Sequence, residues 1–143
     1  ALADVRLVDA GRLELRPAYA DADQALLYAA CDVVANPSRE ESFGLVTLEA
    51  WAARRPVVAA SIAAVRDVVR PGVDGLLVEP GDAAGLAAAV GGLLADEPAR
   101  RAMGAAGRER AEGPLAWPSI VDGWDAFLAE TVARRRRDLE RSL

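Results

Sequence analysis

NPSREESFGLVTLEAWA, residues 36–52, decides how this sequence is read. A Pro-Ser loop runs through Glu41 to Gly44 and then gives way to a regular apolar stretch. A helix opening at Gly44 leaves the amides of Gly44, Leu45 and Val46 without intrahelical acceptors. Such amides, with the positive end of the helix dipole, attract phosphate, and Gly44 has no side chain to hold a ligand away. From Leu45 to Ala53 the only polar residues are Thr47 and Glu49, so the helix is expected to be buried nearly all round. An ionised carboxylate buried there is costly unless it is paired or hydrogen-bonded. Helical side chains tilt toward the amino end, so Glu49 leans back toward the free amides. Two partners suit it. One is an arginine, Arg54, Arg55 or Arg66, with Glu41 merely solvated; such ion pairs are common, and geometry alone favours this slightly. The other is a vicinal diol, bound as a carboxylate binds ribose in a dinucleotide site, with Glu41 facing the same space from the loop.

Working outward, apolar runs and helical patterns alternate. Strands are expected at 5–8, 13–15, 32–35, 56–60 and 75–78, and helices at 21–31, 44–54, 64–69, 83–96 and 98–112. Asp82 and Asp96 are placed to cap the fourth and fifth helices, with Pro98 near the start of the fifth. The segment 113–119 breaks the pattern, and a last helix is expected from about residue 120, with Trp124, Phe127, Leu128 and Val132 at helical spacing. The fold class is therefore α/β: a Rossmann-like parallel sheet with helices on both faces, plus a C-terminal amphipathic helix. Strand 32–35 delivers the chain to the glutamate loop at its carboxyl end, where open α/β sheets bind ligands.

Composition narrows the chemistry. The 143 residues suffice for one core, and no apolar run reaches the ~20 residues of a membrane span. The residues 1–10 carry charges where a signal peptide needs an apolar stretch, so a cytoplasmic location is expected. With 17 basic residues against 22 acidic, the net charge of −5 gives no general attraction for nucleic acid. There is no His and no Lys, which removes His-based nucleophilic catalysis and His-ligated metal. The single Cys31 excludes an internal disulfide and is expected to be buried and inert.

The series PSREESFGLVTLEAWA, PVVAA, RDVVRPGVDGLLVEPGD and LAAAVGGLLADEPARRAMGAAGRERAE resembles the retaining glycosyltransferases of the GT-B fold, family 4 (group 1 type), over roughly residues 13–117. Glu41 and Glu49 match that family's E-x7-E pair, between Pro37-Ser38 and Pro56-Val57-Val58. The resemblance implies a UDP- or GDP-sugar donor, no cofactor and no metal. Glu49 would hold the ribose, and Glu41, as the catalytic residue, would contact hydroxyls of the transferred sugar beside Ser42, Phe43 and Gly44. The amides of Gly44, Leu45 and Val46 would hold the diphosphate, and Leu15, Arg16 and Pro17 the base.

The sequence departs from the family at Arg54, where glycine is usual, and at Ala63-Ala64 and Asp67, where Gly-Gly and then Glu are usual. The family's Arg and Lys for the diphosphate have no match, and the chain has no Lys. Residues 1–116 are thus read as a donor-binding domain lacking its first β-α elements. Residues 117–143 are read as a helix packing on that domain or on an absent acceptor-binding N-terminal domain, in the same or another chain. The same departures leave a second reading, a degenerate non-catalytic nucleotide-binding or interaction domain. The arginines at 134–137 are read as a solvated helix end, with weak peripheral membrane contact as the alternative. Trp51, Trp117 and Trp124 are read as core or domain-interface residues.

Overall fold

The computed structural model describes residues 21–141. Helix α1 (Asp21–Ala30) leads to strand β1 (Val34–Asn36), α2 (Leu45–Ala52), β2 (Val57–Ala60), α3 (Ala63–Arg66) and β3 (Gly75–Val78). Then come α4 (Ala83–Ala95), α5 (Glu97–Glu112) and α6 (Trp117–Glu140). The expected strands at 5–8 and 13–15, and the expected base-binding residues Leu15, Arg16 and Pro17, lie outside the described residues.

The strands form one parallel sheet in the order β1-β2-β3, with Val34 opposite Val57 and Val57 opposite Gly75. Parallel neighbours need crossovers, and α2 and α3 supply them. The central strand β2 is wholly enclosed, and its alternation divides the core in two. Val57 and Ala59 join Ala50, Trp51, Val65 and Val69 in one cluster, while Val58 joins Leu93 and Met103 in the other. Helices therefore cover both faces, as the apolar runs predict. Full burial of a valine in such a strand contributes about 1.5–3 kcal/mol. Asp82 and Asp96 cap their helices as expected, accepting from the Gly85 and Ala99 amides at 2.8 and 3.0 Å.

α2 ends in a Schellman motif: the Arg54 amide donates to the Trp51 carbonyl and the Arg55 amide to the Ala50 carbonyl, both at 2.8 Å. Arg54 itself takes the left-handed conformation, φ 58°. Glycine is the ordinary residue in this role, since a side chain there costs about 1–2 kcal/mol. The departure at Arg54 is thus a departure at a helix cap. Ala63 and Ala64 open α3 without positive φ, so their backbone makes no demand for glycine.

α5 lies across this end of α2. A methyl group on Gly104 would collide with the Arg54 carbonyl, and one on Gly107 with the Trp51 ring. The two bare positions let the helices approach this closely. Trp51 is fully buried; its Nε1 donates to the Asp74 carbonyl at 2.7 Å, and Arg110 stacks over its ring at 5.6 Å. The Asp74 carboxylate is also fully buried and accepts from Arg70 N (2.7 Å), Arg70 Nε (2.6 Å) and Arg110 Nη1 (3.3 Å). A buried carboxylate this well supplied with donors pins α5 to the turn before β3.

Three expectations are corrected. α2 is not buried all round: Thr47, Ala50 and Trp51 are enclosed, but Leu45 is 62% exposed and Ala52 is also exposed. Its apolar composition exceeds what the core takes. α6 begins at Trp117, with Pro118 in its first turn, where the missing proline amide loses nothing. And of the two alternatives given for the tryptophans, core holds only for Trp51; Trp117 and Trp124 are exposed, as is Phe127, which meets Trp124 edge-to-face at 5.9 Å.

Candidate functional site

The loop at 37–44 leaves the carboxyl end of β1, as the alternation of strands and helices requires. Gly44 precedes α2 instead of opening it: its φ of 80° and ψ of 47° are left-handed, and no side chain caps the helix. Its carbonyl accepts the Thr47 amide at 2.9 Å. The amides of Leu45 and Val46, the first two of the helix, have no intrahelical partner. Below them the Thr47 hydroxyl is buried and has no hydrogen-bond partner among the described residues.

The two glutamates are held by different elements. Tyr28 Oη, on α1, donates to Glu49 Oε2 at 2.8 Å. Among the described residues no arginine pairs with Glu49, so the ion-pair reading is overturned: Arg55 Nη2 instead donates to the Ala29 carbonyl, and Arg66 Nη1 to the Ser61 carbonyl. Glu41 Oε1 accepts from Asn36 Nδ2 at 3.3 Å, and Asn36 Oδ1 accepts from the Ser38 amide. Asn36, the last residue of β1, is buried and so orients the loop from the strand's end. An ionised carboxylate has about four acceptor positions. Among the described residues each receives one neutral donor, which uses only part of that capacity.

Glu49 opens onto a groove of about 700 Å³ between α2 and the α5–α6 junction, lined also by Leu45, Leu48, Ala52, Leu115 and Trp117. Ser42 and Phe43 are exposed in the loop. Glu41, Ser42, Phe43, Gly44, Leu45, Val46 and Glu49 therefore belong to one loop-and-helix start, while Leu15, Arg16 and Pro17 lie outside the described residues. Sequence reasoning missed Tyr28 and Asn36. Tyr28 is 21 residues from its partner and carries no local signal. Asn36 is legible in retrospect as the one polar residue ending an apolar strand before a proline.

Cys31 is half-buried; its thiol donates to the Tyr28 carbonyl at 3.2 Å, and burial pushes its pKa up. It therefore carries less thiolate at neutral pH than a free cysteine. Among the described residues no cluster of His, Cys, Asp and Glu is placed to hold a metal, and no helix is long and apolar enough to cross a membrane.

The model of the group 1 glycosyl transferases matches residues 5–96. Among curated proteins, the D-inositol 3-phosphate glycosyltransferase of Geodermatophilus obscurus is 48% identical over 95 residues, covering 66% of this chain and 20% of the relative. Its counterpart in Salinispora tropica is 41% identical over 128 residues, covering 90% and 26%. Among solved structures, the sucrose-phosphate synthase of Thermosynechococcus elongatus superposes with a TM-score of 0.69 at 37% identity, over 76% of this chain and 27% of that one. Anabaena HepE in complex with UDP-glucose gives 0.65 at 30% identity, over 78% and 30%. The chain spans about a quarter of the length of the curated relatives it matches.

Proposed function

The chain belongs to the group 1 glycosyl transferases, and we propose that it is the donor-binding part of such an enzyme, moving a sugar from a nucleotide-sugar to an acceptor with retention of configuration. The observation that carries this reading is the amino end of α2. Two amides without intrahelical partners lie behind a left-handed glycine, between carboxylates that each receive one neutral donor among the described residues. Glu49 takes two ribose hydroxyls, for which its unused lone pairs suit it. Gly44 lets the diphosphate approach the amides of Leu45 and Val46. Those amides stabilise the negative charge that grows on the leaving nucleoside diphosphate as the glycosidic bond breaks. Glu41, steadied by Asn36, orients hydroxyls of the transferred sugar beside Ser42 and Phe43, and the base lies against Leu15, Arg16 and Pro17. No metal is needed in this scheme, since amides and the helix dipole carry the charge. UDP-glucose is the first donor to try, because it is bound in the HepE structure; a GDP-sugar is the second.

The acceptor is held by a domain beyond this chain's fold, in the same or another chain. The apolar stripe of Trp117, Trp124, Phe127 and Leu128 on α6 is the surface offered to it, since each is more than half exposed. The enzyme acts in the cytoplasm, with the arginines at 134–137 as a solvated helix end and weak contact to an anionic membrane as the alternative. The absence of lysine keeps one rival, a domain that binds donor without transferring sugar.

Calorimetric titration with UDP, GDP and their common sugar conjugates tests the reading, with Glu49→Ala alongside. We expect one nucleotide to saturate the protein, and the variant to lose about 1–3 kcal/mol, the worth of hydrogen bonds to a charged group. Equal binding by both proteins, or none by either, would sink the assignment of Glu49. Binding that never leads to transfer, even with the acceptor-binding domain supplied, favours the rival.

A further inference from the structure

A second polar cleft lies at the opposite end of the sheet. It is formed where the chain enters β1 and β2, at the amino ends of the strands, whereas the glutamate loop leaves a carboxyl end. Four arginines line it, Arg54 and Arg55 from the end of α2 and Arg100 and Arg101 from the first turns of α5, against two carboxylates, Asp32 and Glu97. The volume is about 170 Å³, enough for a group the size of phosphate.

The internal partners do not exhaust these cations. Arg101 pairs with Glu97 at 2.6 Å, and Arg100 reaches Asp32 only at 3.5 Å while donating to the Leu93 and Leu94 carbonyls. Arg55 gives Nη2 to the Ala29 carbonyl, and its Nε is buried without a partner among the described residues. A guanidinium has five N–H donors, so each still has some to give. Arg54 occupies a left-handed cap position that glycine fills without strain. An outlier of this kind, held by a side chain at the mouth of a charged cleft, points toward a use for that side chain. Guanidinium forks match the oxygens of phosphate in pairs, and several of them around one small space suit a doubly charged anion better than a singly charged one.

We propose that this cleft binds a phosphate monoester group at a site separate from the donor loop. The group arrives either on a soluble metabolite or on an anionic lipid headgroup. Two arms of one experiment distinguish these sources. In the first, inorganic phosphate is titrated into the labelled protein at constant ionic strength and read by amide NMR. The expected result is saturable shifts at Asp32, Arg54, Arg55, Glu97 and Ala99 to Arg101, with a saturation curve distinct from that of Leu45 and Val46. In the second, the protein is sedimented with phosphatidic acid vesicles, with neutral vesicles as the control.

Arg54→Gly is the informative variant, because it removes one cation while relieving the strained cap. It should weaken binding at least fivefold in whichever arm shows it, and raise the melting temperature. The combination separates loss of a ligand group from loss of the fold. Arg101→Gln should weaken binding in the same arm. Saturation in the phosphate arm names a soluble ligand, and saturation in the vesicle arm alone names a headgroup. Shifts that chloride reproduces, or binding in both arms indifferent to Arg54→Gly, overturn the proposal. So does a response confined to Leu45 and Val46, which would belong to the donor loop instead.

Discussion

At its carboxyl end α2 has every backbone carbonyl of its last turn hydrogen-bonded; at its amino end the amides of Leu45 and Val46 have no intrahelical partner. The carboxyl end is closed by a Schellman motif, and the Ala52 carbonyl receives Arg108 from α5. Positive charge there also suits the negative end of the helix dipole. Trp51 is enclosed between Gly107 and the Asp74 turn. The amino end has a glycine where a capping side chain is usual, and among the described residues the glutamates beside it receive one donor each. One helix thus carries a closed end and an open one. Stability is concentrated where contacts are complete, and unfilled hydrogen-bonding capacity is left where a ligand has room to supply it.

The contrast is open to attack from both ends. Trp51→Ala strikes the saturated end and should cost about 3–5 kcal/mol, the range for emptying a buried aromatic site. Against a total stability of about 5–15 kcal/mol for a domain of this kind, urea denaturation should show a protein close to unfolding. A loss under about 1 kcal/mol would mean that this end is not the anchor described. Gly44→Ala strikes the open end. The new methyl would meet only Thr47 and Val65 at ordinary contact distances of 3.7 Å, so the penalty is conformational, about 1–2 kcal/mol for a left-handed alanine. Donor binding should weaken with it, as the amides of Leu45 and Val46 turn away. Unchanged stability and unchanged binding together would show that the glycine's conformation matters to neither.

The smallest effect is electrostatic. The hydrogen bond from Arg108 holds the Glu112 carboxyl below the usual carboxylate range. A folded-state pKa below the unfolded one stabilises the fold above the ordinary carboxylate pKa, and that stabilisation fades as pH falls through the lowered value. Both groups are at the surface, where solvent screens the pair, so the gain is slight. Glu112→Gln should leave the melting temperature near neutral pH almost unchanged and flatten its decline below about pH 4. A large drop at neutral pH would show that Glu112 does more than pair with Arg108.

Much of this was legible in advance, and what was legible was local. The run from Pro37 to Ala52 gave a loop, a glycine and a helix start in the right order. The caps at Asp82 and Asp96 were readable because an N-cap bonds only three residues ahead. Continuous apolar runs alternating with helical patterns pointed to a parallel sheet covered on both faces. Reading every apolar residue of α2 as buried failed, because composition says how apolar a helix is and not how many neighbours it has. The same limit left core and interface undivided for Trp117 and Trp124, which the structure exposes.

What the sequence by itself determined is the order of strands and helices from Asp21 onward, the glutamate pair and the helix-start amides between them. Each is set by hydrogen bonds and periodicities within a few residues. Only the tertiary structure decided that Tyr28 and Asn36 hold the glutamates, that Arg54 is forced into a glycine's conformation, and that Asp74 is the hub beneath Trp51. The pairs Tyr28–Glu49, Trp51–Asp74 and Arg110–Asp74 join residues 21, 23 and 36 positions apart. Packing alone brings such residues together, and no local pattern records which of several donors a carboxylate will meet once the helices close on the sheet.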